Sequence, residues 1–219
     1  MIRTWMKRWA IGMWLAVGVG CLDSGGSSDG GGGSSNKDIG DNDPNRVVAI
    51  GDSITEGICR PDGTPYPARL AGLSGKNVIN QGRCDERTAS GAGRIGGVLN
   101  KYKPGTIVIL YGANDALDGR STDAVINSLR SMCNAAIANK TIPLLGTCLP
   151  IYGGRSAANS RVQAYNDAIR SLARELGIRV VDFNKEFGNE RSLIQPDGVH
   201  PSNAGLQVMA FAVNDRLPK

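Results

Sequence analysis

From Arg46 onward, short β-branched runs alternate with longer segments of helical spacing, and that alternation confines the chain to helices packed on a parallel sheet. The strand candidates are residues 46–50, 77–80, 106–111, 141–147 and 179–183, which predicts an α/β fold of three layers, α/β/α, around a five-stranded parallel sheet. Between them Val125, Leu129, Met132, Cys133 and Ala136 recur at helical spacing, as do Val162, Tyr165, Ile169, Leu172 and Leu176. Ser202 is an expected N-cap for a last helix with Leu206, Met209, Ala210 and Val213 on one face. Open sheets of this kind bind ligands outside the carboxyl ends of their strands. The polar clusters fall there: Gly51-Asp52-Ser53-Ile54-Thr55 after the first strand, Gln81-Gly82 after the second, Gly112-Ala113-Asn114-Asp115 after the third, and Asp197-Gly198-Val199-His200 before the last helix.

The N-terminus reads differently. Residues 1–21 have a basic start, an apolar stretch from Trp9 to Gly20 and small residues before Cys21, the pattern of a secretory signal. The stretch is shorter than the ~20 residues needed to span a bilayer. Gly18-Val19-Gly20-Cys21 resembles a bacterial lipobox, with Gly18 where leucine is preferred, so the alternatives are a lipidated Cys21 that attaches the protein to a membrane and a plain signal cleaved near Gly20. Residues 22–45 are dominated by Gly, Ser, Asp and Asn, the composition of a flexible tether. The expectation is an exported protein, periplasmic or membrane-anchored, with one folded domain over residues 46–219.

Charge excludes a partner class. Of the 25 Lys and Arg, three (Arg3, Lys7, Arg8) precede the apolar stretch, which leaves 22 against 20 acids, without a basic cluster to hold nucleic acid. All three tryptophans (Trp5, Trp9, Trp14) lie in the signal, so the mature domain has no Trp platform for sugars. Cys59, Cys84, Cys133 and Cys148 are even in number, as disulfides in an oxidising compartment require. A Cys59–Cys84 bridge is expected, whereas Cys133 and Cys148 are either paired or buried free thiols. One histidine and no Cys-x-x-Cys leave no zinc ligand set, and neither metal nor cofactor is expected.

A serine hydroxyl is a weak nucleophile that needs an adjacent base, usually a histidine held in the right tautomer by a carboxylate. His200 is the sole histidine and lies three residues after Asp197, within one short loop. A lone histidine or a Gly-Asp-Ser turn means little by itself. Their joint placement at the same sheet edge points to Ser53 as nucleophile, His200 as general base and Asp197 as its orienting acid. Donors for the carbonyl oxygen are expected from the Ser53 amide, the Gly82 amide and the Asn114 side chain.

These blocks resemble the SGNH, or GDSL, hydrolase family of esterases, lipases, lysophospholipases and thioesterases. Gly51-Asp52-Ser53-Ile54 is similar to its first block, with Ile54 for the usual Leu; Gly82 matches the second block's glycine; Gly112-Ala113-Asn114-Asp115 fits the third and Asp197-Gly198-Val199-His200 the fifth. The resemblance covers roughly residues 46–216, is nearest to compact bacterial arylesterases and lysophospholipases, and implies a flavodoxin-like fold. It also implies the triad Ser53, Asp197, His200 and an oxyanion hole of Ser53, Gly82 and Asn114.

Two motif matches fail on context. Gly26-Ser27-Ser28-Asp29-Gly30 satisfies a nucleophile elbow but lies in the tether, and Gly91-Ala92-Gly93-Arg94-Ile95-Gly96 satisfies a dinucleotide fingerprint but does not directly follow a strand. Leu117, Leu149, Ile151 and Tyr152 follow the third and fourth strands and either line a substrate pocket or pack within their loops. An aliphatic lining suits small-molecule or lipid acyl esters. The rival readings are a carbohydrate O-acetylesterase and a non-catalytic surface binding module of the same fold. A monomer is expected.

Overall fold

Alternate residues of β1 (Asp43–Gly51) face opposite sides of the sheet, and both sides are apolar: Val47 and Ala49 join one core, Val48 and Ile50 the other. The same split recurs in β3 (Pro104–Leu110), with Ile107 and Ile109 on one side and Val108 and Leu110 on the other. Strands without a polar face need cover on both sides, which is the condition of a parallel sheet. The structure, a computed structural model, describes residues 38–57 and 63–219. The signal, the lipobox alternative at Cys21, most of the tether and Cys59 lie outside them.

With β2 (Asn77–Gly82), β4 (Ile142–Gly146) and β5 (Arg179–Val181), the strands form one all-parallel sheet in the order β2-β1-β3-β4-β5. The expected five-stranded α/β architecture is therefore present. One face carries α3 (Thr88–Tyr102), α5 (Thr122–Ala138) and α6 (Asn159–Leu176); the other carries α2 (Tyr66–Ser74), α7 (Phe183–Phe187) and α8 (Asn203–Asn214). The buried residues of α5 are the five read from spacing, and α8 begins after Ser202, whose hydroxyl accepts from the Gly205 amide at 3.3 Å. β1 starts three residues before the expected domain boundary, and Asn42 already donates to the Asn139 carbonyl at 2.7 Å.

Two single-turn helices complete the sheet's carboxyl edge: α1 (Ser53–Glu56) follows β1 directly, and α4 (Ala113–Leu117) follows β3. Gly51 and Leu110 are register partners. Ser53 and Asn114 therefore leave the sheet from adjacent strands.

Candidate active site

Asp52 builds the turn that presents the serine. Its side chain accepts from the Ile54 amide at 2.9 Å, and its carbonyl takes the amides of Thr55 and Glu56. A helix leaves its first amides without intrahelical partners. Here the Ser53 amide alone of these has no partner among the described residues, at the mouth of α1. Asn80 on β2 closes the other end of the turn, donating to the carbonyls of Thr55 and Glu56 at 3.0 and 3.1 Å.

The loop before α8 brings in the other two groups. Ser53 Oγ lies 2.9 Å from His200 Nε2, and His200 Nδ1 lies 2.6 Å from Asp197 Oδ2. Asp197 Oδ1 accepts from the amides of Val199 and His200 at 3.0 and 3.1 Å, which fixes the carboxylate on the loop that carries the imidazole. Burial works to raise the Asp197 pKa, but hydrogen bonds from the Val199 amide, the His200 ring and the His200 amide outweigh it and hold the carboxyl below its usual range. An ionised carboxylate only accepts, so Nδ1 carries the imidazole proton and the Nε2 lone pair faces the serine hydroxyl. Ser53 is 7% and His200 9% exposed, so the pair is shielded yet reachable. The arrangement can remove a proton from the Ser53 hydroxyl as it attacks.

Residues 49–208 match the model of the GDSL-like lipase/acylhydrolase family. The chain belongs to that family. Esterase TesA of Pseudomonas aeruginosa is 31% identical over 166 residues, 72% of this chain and 80% of that protein. The thioesterase 1/protease 1/lysophospholipase L1 of Escherichia coli K12 is 26% identical over 164 residues, 71% of this chain and 75% of that protein. Among solved structures, a lipolytic protein of the G-D-S-L family from Desulfitobacterium hafniense superposes with a TM-score of 0.70 at 27% identity, covering 79% of this chain and 99% of that one. The chain is a serine ester hydrolase of the SGNH type.

Against that family frame, Gly82 departs from expectation. Its amide donates to Asn80 Oδ1 at 2.9 Å and is committed there. What glycine provides at this position is clearance, since a Cβ would overlap the backbone of Glu56 in α1. Asn114 stands in the first turn of α4, and its Nδ2 donates to the Glu86 carbonyl at 3.0 Å.

Of the pocket candidates, Leu149 and Ile151 are 2% and 1% exposed and belong to the two cores. Their loop packs inward, so the pocket-lining alternative fails for both. Leu117 is half-buried against the core, and Tyr152 edges a polar groove of about 390 Å³ beside Asn159, Gln163, Asn184, Lys185 and Asn189, beyond β4 and β5. The Tyr152 amide donates to the Gly198 carbonyl at 2.7 Å, and Gly198 takes a φ of +80°, where a Cβ would strike the Tyr152 carbonyl. That contact pins the Asp197–His200 loop.

Cys84 is disulfide-bonded, and its expected partner, Cys59, lies outside the described residues. Cys133 and Cys148 are buried free thiols, not a pair. Sequence reading missed a buried polar cluster beneath the site. Arg94 on α3 grips Glu86 through Nε and Nη2, the shortest contact being 2.6 Å, while Tyr111 Oη donates to Glu86 Oε2 at 2.6 Å. Glycines at 91, 93 and 96 drew attention to this stretch as a nucleotide motif, but it is the middle of α3, and Gly91 is where the Tyr111 ring packs.

Proposed function

We propose that the chain hydrolyses carboxylic esters through an acyl-enzyme on Ser53. His200 Nε2 takes the hydroxyl proton as Oγ attacks the ester carbonyl carbon; collapse of the tetrahedral intermediate expels the alcohol, which leaves with that proton. Water then attacks the acyl-enzyme, again losing its proton to His200, and the acid is released with Ser53 restored. Asp197 holds the imidazole tautomer and balances the imidazolium. The Ser53 amide and the Asn114 side chain are the donors to the developing oxyanion, two groups where the sequence suggested three.

The observation that supports this reading is the unbroken line from Asp197 Oδ2 through the His200 ring to Ser53 Oγ, at 2.6 and 2.9 Å. A fluorophosphonate probe should label Ser53 covalently, and Ser53→Ala should abolish both labelling and turnover of nitrophenyl acetate. Unchanged turnover by Ser53→Ala would refute the assignment, and absence of labelling together with absence of turnover in the native protein would favour a binding module. Asn114→Ala should lower kcat about 100- to 1000-fold, the loss usual for one oxyanion donor.

The substrate class we favour is small or lipid-derived acyl esters, in keeping with relatives named as esterase and as thioesterase and lysophospholipase. Rates across nitrophenyl esters from acetyl to palmitoyl test it. We also propose export through residues 1–21, with or without a lipid on Cys21. Mass spectrometry of the mature N-terminus decides between the two.

A further inference from the structure

Asn114 carries two amide hydrogens, and the structure fixes one of them. With Nδ2 donating to the Glu86 carbonyl at 3.0 Å, the amide plane is set and the direction of the second hydrogen is set with it. The position of one main-chain carbonyl in the loop between β2 and α3 thus governs where a proposed oxyanion donor points.

That loop is tied down at several points although Arg83, Asp85 and Arg87 are exposed. The Arg83 amide donates to the Gly51 carbonyl at 2.9 Å, next to the turn that bears Ser53. Thr88 donates through its amide and its hydroxyl to Asp115 Oδ2, at 3.0 and 2.7 Å, which ties the start of α3 to α4. From beneath, the Glu86 carboxylate is held by Arg94 and Tyr111. Arg94 Nη2 also reaches the Gln81 carbonyl at 2.7 Å and Tyr111 Oη at 2.9 Å. One guanidinium therefore binds the ends of β2 and β3 and the loop between β2 and α3.

Such a cluster is a poor way to gain stability. The Glu86 and Arg94 side chains are 8% and 12% exposed, and desolvating two charges largely cancels their attraction. Arg94 Nη1 is buried with no hydrogen-bond partner among the described residues, a further cost. What the cluster does achieve is a single geometry for the Glu86 carbonyl.

We propose that Glu86, held by Arg94 and Tyr111, is a positioning residue for ester hydrolysis and acts through Asn114. The proposal rests on the reading of Asn114 as an oxyanion donor, and a double-mutant cycle separates the two. Turnover of nitrophenyl acetate is measured for Tyr111→Phe, Glu86→Gln, Asn114→Ala and each of the first two combined with Asn114→Ala. Misplacing a catalytic group by about 1 Å can cost about 100-fold, and a smaller shift costs less. Glu86→Gln should therefore lower kcat on the order of 10-fold with KM little changed, and Tyr111→Phe, which deletes a single hydroxyl and keeps the ion pair, should lower it about 3-fold. In the Asn114→Ala background both losses should vanish, because the group they aim is gone.

Losses that multiply with that of Asn114→Ala would overturn the proposal and make the cluster a scaffold only. So would an unchanged kcat in Tyr111→Phe and Glu86→Gln beside an impaired Asn114→Ala. An unimpaired Asn114→Ala would instead remove the donor reading on which the proposal stands. If Glu86→Gln does not fold, Tyr111→Phe alone carries the test.

Discussion

Helix α3 contains a controlled experiment in glycine. Gly93, Gly96 and Gly97 have open space where a Cβ would stand, whereas a Cβ on Gly91 would lie 2.5 Å from Tyr111 Cζ and 2.7 Å from its hydroxyl oxygen. Alanine exceeds glycine in helix propensity by about 1 kcal/mol, so at the three open positions the substitution should stabilise by up to that amount. At Gly91 the same gain meets overpacking worth about 1–3 kcal/mol. Tyr111 cannot yield without drawing its hydroxyl away from the Glu86 carboxylate and Arg94, a hydrogen bond to a charged group worth about 1.5–3 kcal/mol. The net for Gly91→Ala is a loss of about 1.5–5 kcal/mol. At about 2–4 °C per kcal/mol for a domain of this size, Tm should fall by about 3 °C or more, while Gly93→Ala and Gly97→Ala should each raise it by about 2–4 °C. Thermal unfolding followed by circular dichroism reads all of them. Equal shifts of the same sign at positions 91 and 93 would show that Tyr111 does not occupy the space Gly91 leaves, and the account of the buried cluster would fall with it.

Two further expectations concern buried titratable groups. Burial is the main reason the Asp52 carboxyl is pushed up to about 7; the Ile54 amide opposes it, and the negative neighbours Asp115 and Glu86 add to it. An acid whose pKa is higher folded than unfolded favours the fold at low pH and costs stability as pH rises through 4 to 7, by up to about 4 kcal/mol in total. Asp52→Asn keeps the cap acceptor and loses that dependence, so its stability advantage over the native protein in urea unfolding should grow from pH 5 to pH 8; a gap independent of pH would contradict this. Burial likewise pushes the Cys133 thiol up to about 12, and it raises Cys148, whose Sγ donates to the Tyr111 carbonyl at 3.3 Å. Both should resist iodoacetamide in the folded protein and react fully after unfolding, as peptide mass spectrometry would report.

The strands, the long helices and the candidate triad were legible in the sequence because each is written locally, in a run of β-branched residues, a stripe of helical spacing or a short polar block beside a strand. Asp197 and His200 could be paired because three residues separate them and no other histidine competes. Helix α3 was harder, since its glycines dilute the apolar period and imitate a phosphate-binding loop. The Glu86, Arg94 and Tyr111 cluster was invisible for a different reason. Each is an ordinary residue in its own segment, and only the meeting of the loop after β2, helix α3 and the end of β3 places a charge, its partner and a phenol together. Gly82 and Ile151 show the reverse failure. Their positions were read correctly, but whether an amide is already committed to Asn80, or a side chain turns inward, depends on neighbours that spacing does not encode.

Ser53 and His200 stand 147 residues apart, at the first and last turns of the sheet's carboxyl edge. A chain emerging from synthesis thus holds its hydroxyl long before its imidazole arrives. On the proposed mechanism, hydrolysis requires the loop that carries His200, which is held in place when α8 packs against α2, so a molecule clipped before that loop should be silent toward esters.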